Sequence, residues 1–220
     1  MMALDVAAAQ VPADSRAWDQ LRRSPLVASG GAVVTSFLDG LALARLRAEA
    51  AVVHADAQVT QTDRPNDDVR GDPDRWLESA PGGVELDALY RNPSVLQLLG
   101  QVTGMSWQRA GEAGAFSYYR VPGHHLGLHR DIDSCDLACI TCVHDDGGSD
   151  GRSGVLRLYP TRTGERLEDI RAMPDRGAVH VRLAPGQTLI LLGGLVPHRL
   201  LPIALGHSRI VAPLCYRAAG

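Results

Sequence analysis

From residue 114 onward the chain reads as short strands. Apolar or alternating runs recur at 115–121, 126–132, 137–143, 155–159, 178–183, 188–192, 199–203 and 208–216. Turn-forming stretches separate them: Pro122-Gly123, residues 145–154 and Pro185-Gly186. About eight short strands within about a hundred residues predict a jelly roll or a closed barrel. There is no internal repeat and no low-complexity tail.

The first half differs. Residues 12–30 read as helical, with Trp18, Leu21 and Leu26 as buried positions. Gly30-Gly31 breaks that pattern, and 32–37 reads as a buried strand. Residues 38–54 are rich in Ala, Leu, Arg and Glu, and Leu41, Leu43, Leu46 and Ala50 suggest a helix face. The polar 57–83 stretch holds Pro65, Pro73, Pro81 and Gly82-Gly83, which predicts a long loop with at most a short helix at 74–79. Pro93 after Asn92 fits the first turn of a helix that runs through Val95, Leu96, Leu98 and Leu99 and stops near Gly100 to Gly104. The expected architecture is α+β but mainly β. A single domain spans 1–220, with mostly helical support and loop over 1–113 and a β core over 114–220.

Composition excludes several chemistries. All 22 basic residues are arginine. Without lysine there is no Schiff-base nucleophile, no Walker-type phosphate loop and no kinase-type strand lysine. A net charge of -3 argues against nucleic-acid binding, which favours a strongly basic face. No stretch approaches the roughly 18 apolar residues of a membrane span, and the start MMALDVAAAQ does not read as an export signal. The lysine-free, Ala/Arg/Gly-rich composition suggests a high-GC bacterium. The expectation is a cytoplasmic protein with four reduced cysteines and no obligate protein partner.

The chemistry sits in the β half. In Gly127-Leu128-His129-Arg130-Asp131-Ile132, strand alternation puts His129 and Asp131 on one face. An imidazole and a carboxylate there make two-thirds of a 2-His-1-carboxylate triad, which leaves positions open on Fe(II). His198 follows an apolar strand and can complete the set. Arg209, near the start of the last strand, offers a planar fork suited to a carboxylate.

The ordered set His129-x-Asp131, His198, Arg209 resembles the Fe(II)/2-oxoglutarate-dependent oxygenases, in their prolyl-hydroxylase-like branch. Ser117-Tyr118-Tyr119-Arg120-Val121-Pro122-Gly123, Gly154-Val155-Leu156-Arg157-Leu158-Tyr159-Pro160 and the Leu189-to-Gly194 approach to His198 also resemble that pattern. The likeness runs from about Phe116 to Tyr216. It implies a double-stranded β-helix with N-terminal supporting helices. It further implies Fe(II) on His129, Asp131 and His198, 2-oxoglutarate as cosubstrate with its far carboxylate on Arg209, and dioxygen as oxidant. The expected reaction is hydroxylation or desaturation of a small molecule, with a peptide or protein substrate as the alternative. A carboxylate at 131 argues against halogenation, since the family's halogenases have Gly or Ala there. The family often has Ser or Thr two residues after the Arg, where this chain has Val211. A second contact to the cosubstrate carboxylate must therefore come from elsewhere, with Tyr118, Tyr119 and Ser208 as candidates. The family's nucleic-acid demethylases carry a second Arg six residues on, where this chain has Cys215.

Other features compete. His207 is an alternative metal ligand, but its spacing to Arg209 breaks the pattern. His124 and His125, at a Pro-Gly turn, are expected to be solvated; His144 and His180 are expected to be structural. Arg217 reads as a surface or barrel-end residue. Cys135, Cys139 and Cys142 have the spacing of a radical-SAM iron–sulfur motif. That motif needs a βα barrel after it, and the residues that follow read as β. Cys139 and Cys142 fall in a buried strand, where cysteine acts as a small hydrophobe. A cupin-like metal-binding protein without oxygenase activity is the rival from another class, and a structural zinc site using His144 or Cys215 is a lesser one.

Overall fold

In a computed structural model, residues 2–3, 21–65, 72–111, 113–148 and 151–219 are described. The first part of the expected 12–30 helix, with Trp18, and residues 66–71 lie outside them. The described strands are β1 (Met2–Ala3), β2 (Ala32–Thr35), β3 (Gln58–Thr62), β4 (Arg75–Pro81), β5 (Trp107–Arg109), β6 (Ala115–Tyr119), β7 (His125–His129), β8 (Leu137–Asp145), β9 (Leu156–Leu158), β10 (Val179–Val181), β11 (Thr188–Leu191), β12 (His198–Leu200) and β13 (Arg209–Ala218). The helices are α1 (Pro25–Ala28), α2 (Gly40–Val53), α3 (Val84–Arg91), α4 (Pro93–Thr103) and α5 (Leu167–Ala172).

The strands form one curled antiparallel sheet in the order β1-β2-β11-β8-β13-β6-β4-β7-β12-β9-β10. The curl comes from β4. Residues 78–81 pair with β6, while Arg75 and Trp76 pair with β7. The β2–β6 side thus passes round into the β7–β10 side, giving a double-stranded β-helix. All eight strands expected after residue 114 are present.

The 57–83 stretch corrects the sequence expectation. It contains the β3–β4 hairpin, and 74–79 is extended rather than helical. Strand β4 gains ladder partners on both sides of the curl, and this tertiary pairing outweighs its weak local preference.

The helices cover the β2–β6 side. Asn92 caps α4 by accepting from Ser94 N at 2.9 Å, and Gly104 ends it in the left-handed conformation at φ 70°. Helix α3 has no side-chain cap of its own; Glu49 of α2 accepts from Glu85 N and Leu86 N at 2.6 and 2.9 Å. Leu46 and Ala50 are the buried residues of α2, while Leu41 is 63% exposed. The main core joins Leu46, Leu86 and Leu99 from the helices to Phe116, Leu137 and Leu189 from the sheet. A smaller cluster of Leu128, Tyr159, Leu167 and Ile170 lies under α5.

The four-thiol expectation is also corrected. Cys135 and Cys215 form a disulfide, because β13 runs beside the turn after Asp131 and brings the two Cα atoms to 5.0 Å. Cys139 and Cys142 are free and buried on β8. Burial pushes their thiols up to about 12 and about 11, so they are protonated at neutral pH. With one cysteine of the motif in a disulfide, the iron–sulfur reading has no ligand set.

Candidate active site

Strands β7 and β12 pair with His129 directly opposite His198, which brings the imidazole centroids to 4.2 Å. Strand β7 ends at His129. Asp131 lies just beyond it, held by its backbone N–H donating to Gly193 O at 2.9 Å. Its Oδ1 stands 3.4 Å from His129 Nε2 and 3.5 Å from His198 Nε2. These three side chains are the one set of three or more His, Cys, Asp or Glu among the described residues able to hold a metal ion.

The tautomers follow from second contacts. His129 Nδ1 lies 2.8 Å from Gly127 O, and His198 Nδ1 lies 2.9 Å from Val196 O. A carbonyl only accepts, so each Nδ1 carries the proton and each Nε2 turns a lone pair inward. Two lone pairs and a carboxylate meeting at this range require a cation between them. Burial opposes charge on His198, but the facing Asp131 carboxylate outweighs it and raises that imidazole above its usual value. Burial, with His198 adding to it, lowers His129. Burial alone would raise the Asp131 carboxyl; the two histidines together hold it below the carboxylate range. A proton on His198 can therefore serve as the cation, and a divalent metal ion fits the same donors.

The donors open into a cavity of about 100 Å³ that Tyr119, Arg209 and Ser117 also line, with apolar walls from Ile140, Leu156 and Leu200. Arg209 on β13 pairs in register with Tyr119 on β6, and Val211 with Ser117. Ser117 thus supplies a hydroxyl across from Val211. It is legible only once the β6 register is known. Tyr118 faces the other way: its hydroxyl donates to Ala50 O at 2.8 Å, under α2. Burial pushes the Tyr119 phenol up, so it stays a neutral donor at ordinary pH. Ser208 is absent from the cavity wall; its N–H donates to Asp146.

Arg209 is 1% exposed. Its Nη1 donates to Asp145, a partner that sequence reasoning missed because the pairing depends on the β8–β13 register. Arg182 also contacts Asp145, at 3.3 Å. Two guanidinium groups thus share one buried carboxylate, which leaves positive charge over. Burial would raise the Asp145 carboxyl, but Arg209 holds it below its usual value. The Nε of Arg209 is buried with no hydrogen-bond partner among the described residues. An only partly compensated cation with an unused donor at the cavity wall fits an incoming carboxylate.

The rival histidines have other work. Both ring nitrogens of His207 are occupied, Nδ1 by Ser153 Oγ at 2.5 Å and Nε2 by Asp145 Oδ1 at 3.1 Å. His124, expected to be solvated, is 1% exposed: its Nδ1 accepts from Arg120 N and its ring meets Trp76 edge-on. His125 is half-buried beside Asp74 at 3.3 Å. His144 faces Asp146, His180 accepts from Arg157, and Arg217 is exposed.

Solved structures share this architecture. A prolyl-4-hydroxylase from Pseudomonas putida aligns over 92% of this chain and 97% of its own, with a TM-score of 0.56 and 19% identity. The epimerase SnoN of nogalamycin biosynthesis, solved with Fe3+ and alpha ketoglutarate, aligns over 91% of this chain and 82% of its own, at 0.63 and 15%. EctD from S. alaskensis, solved with bound Fe, aligns over 97% of this chain and 81% of its own, at 0.60 and 15%. The chain has the fold of these proteins. No protein-family model matches the sequence, and no curated protein matches it. No described helix is long and apolar enough to cross a membrane.

Proposed function

We propose that this protein is an Fe(II)- and 2-oxoglutarate-dependent oxygenase that hydroxylates or desaturates an unactivated C–H bond of a small molecule. The observation that carries this reading is the convergence of His129, Asp131 and His198 on one cavity whose wall holds a buried, under-compensated Arg209. His129, Asp131 and His198 would hold the iron. Arg209 would take the distal carboxylate of 2-oxoglutarate, with Tyr119 and Ser117 as nearby hydroxyl donors. When bound, the pair supplies oxidative decarboxylation of 2-oxoglutarate by dioxygen, which provides the oxidant for a C–H bond.

The chain's own contribution is placement. The carbonyls of Gly127 and Val196 hold both imidazoles in the metal-binding tautomer. Gly193 O fixes the Asp131 backbone. The apolar wall keeps water from a reactive centre. The likeness to SnoN, solved in complex with nogalamycin RO, favours a small substrate. The prolyl-4-hydroxylase likeness keeps a peptide as the second reading.

The test is 2-oxoglutarate-dependent oxygen consumption by iron-loaded protein across a panel of amino acids, specialised metabolites and proline-containing peptides. Stimulation by a small molecule supports the first reading, and stimulation by peptides alone supports the second. Iron binding without any 2-oxoglutarate consumption supports a non-catalytic cupin-like protein.

A further inference from the structure

Ser153, His207 and Asp145 form a buried chain behind Arg209. Ser153 lies in the connection from β8 to β9, His207 lies just before β13, and Asp145 ends β8 directly across from Arg209. Ser153 is 2% exposed and the His207 side chain is fully buried. The ends of the chain set the direction of its hydrogen bonds. Asp145 Oδ1 only accepts, so His207 Nε2, 3.1 Å away, carries the proton. Ser153 Oγ already accepts from Ala204 N at 2.7 Å, and its hydroxyl donates to His207 Nδ1 at 2.5 Å. Serine, histidine and aspartate are also the elements of a nucleophilic triad, but a hydroxyl this buried meets no substrate. The ring itself is wedged between two glycines. A Cβ at Gly148 would stand 2.8 Å from His207 Nδ1, and one at Gly154 would stand 2.7 Å from its Cε1, so the imidazole fills the gap they leave.

The chain determines how Asp145 meets Arg209. Oδ1 accepts from His207 Nε2, from Gly147 N at 2.8 Å and from Arg182 at 3.3 Å. With Oδ1 taken, Arg209 pairs through Nη1 with Oδ2 alone. A carboxylate able to turn would engage the guanidinium with both oxygens, the stronger bidentate form, and would use up donors of the fork. Held as it is, Asp145 fixes Arg209 at one point and leaves its Nε without a hydrogen-bond partner among the described residues.

We propose that His207 is a positioning residue for 2-oxoglutarate binding: by holding Asp145 Oδ1, it keeps Arg209 in one-point pairing and its remaining donors available to the distal carboxylate. This rests on the assignment of Arg209 to that carboxylate.

The experiment is anaerobic calorimetric titration of Fe(II)-loaded, full-length protein with 2-oxoglutarate. Wild type is compared with His207→Ala, Gly148→Ala, Arg209→Gln and the His207→Ala/Arg209→Gln double variant. Gly148→Ala keeps every hydrogen-bonding group but crowds His207 and Ser153 out of line, and it replaces His207→Ala in each comparison if that variant does not fold. His207→Ala and Gly148→Ala should each weaken 2-oxoglutarate binding about tenfold, the lower end of what loss of a supporting contact costs, with Fe(II) affinity unchanged. Because His207 acts through Arg209, the double variant should bind no more weakly than Arg209→Gln alone, whereas a general loosening of the fold would multiply the two losses. Wild-type affinity in His207→Ala, or multiplied losses in the double variant, overturns the proposal and leaves Arg209 its assignment. Wild-type affinity in Arg209→Gln overturns that assignment, and the proposal with it.

Discussion

Replacing Gly193 with alanine should disable the metal site without unfolding the protein. A Cβ at Gly193 would stand 1.7 Å from Asp131 Oδ2 and 2.7 Å from its Cγ. Ordinary contacts sit at about 3.5 Å, so the carboxylate must retreat by ~1.5 Å or more. It has little room, because Asp131 N is tied to Gly193 O and Cys135 Sγ lies 3.8 Å from Oδ2 on another side. Designed constellations fail at displacements of about 0.5 Å. Loss of a supporting residue typically costs about 10–100-fold in metal affinity, and displacing a ligand outright belongs at the upper end, about 2.7 kcal/mol. The assay is anaerobic Fe(II) titration by calorimetry, with circular dichroism to confirm the fold. Gly164→Ala, whose added carbon meets nothing within 4 Å, is the control and should bind as wild type. If Gly193→Ala binds Fe(II) as tightly as that control, Asp131 is not a ligand in the arrangement described.

Further outcomes are expected. His129→Ala and His198→Ala should each abolish tight iron binding, whereas His207→Ala should spare it; removing His207 takes a hydrogen-bond partner from each of buried Asp145 and Ser153, costing about 1–3 kcal/mol of stability in chemical denaturation. Arg209→Gln should raise the 2-oxoglutarate concentration for half-maximal turnover by about a hundredfold while Fe(II) affinity holds, and a merely structural Arg209 would leave that concentration unchanged. Thiol counting by mass spectrometry after alkylation should find none in native protein at pH 8, two after denaturation and four after reduction, and four without reductant would refute the disulfide. Folding holds Cys139 and Cys142 protonated to about 12 and about 11, while unfolded thiols ionise near about 8.5. Their contribution to stability is therefore fully present below about pH 8.5 and is lost as pH rises through 11 to 12, a decline that Cys→Ala variants should lessen.

The β half was legible because its signals are local. Alternation and Pro-Gly turns mark each strand from Phe116 to Tyr216, and His129, Asp131, His198 and Arg209 fall in one cavity once those strands curl. What was illegible depends on register or on distant pairing. Tyr118 and Tyr119 are adjacent, and only the pairing of Arg209 with Tyr119 shows which one faces the cavity. Strand β4 is polar and proline-bounded, and it is extended because β6 and β7 both need an edge partner. The Cys135–Cys215 link spans 80 residues, and the Arg209–Asp145 pair bridges two strands, so no spacing rule announces either.

The central claim is that the cavity couples iron, 2-oxoglutarate and dioxygen. It is tested most directly by supplying labelled dioxygen to protein loaded anaerobically with Fe(II) and 2-oxoglutarate, then measuring succinate by mass spectrometry. The account predicts succinate carrying one oxygen atom from dioxygen, formed by wild type and not by His198→Ala. Stoichiometric iron binding with no succinate above the metal-free control, in the presence of the full substrate panel, would contradict it.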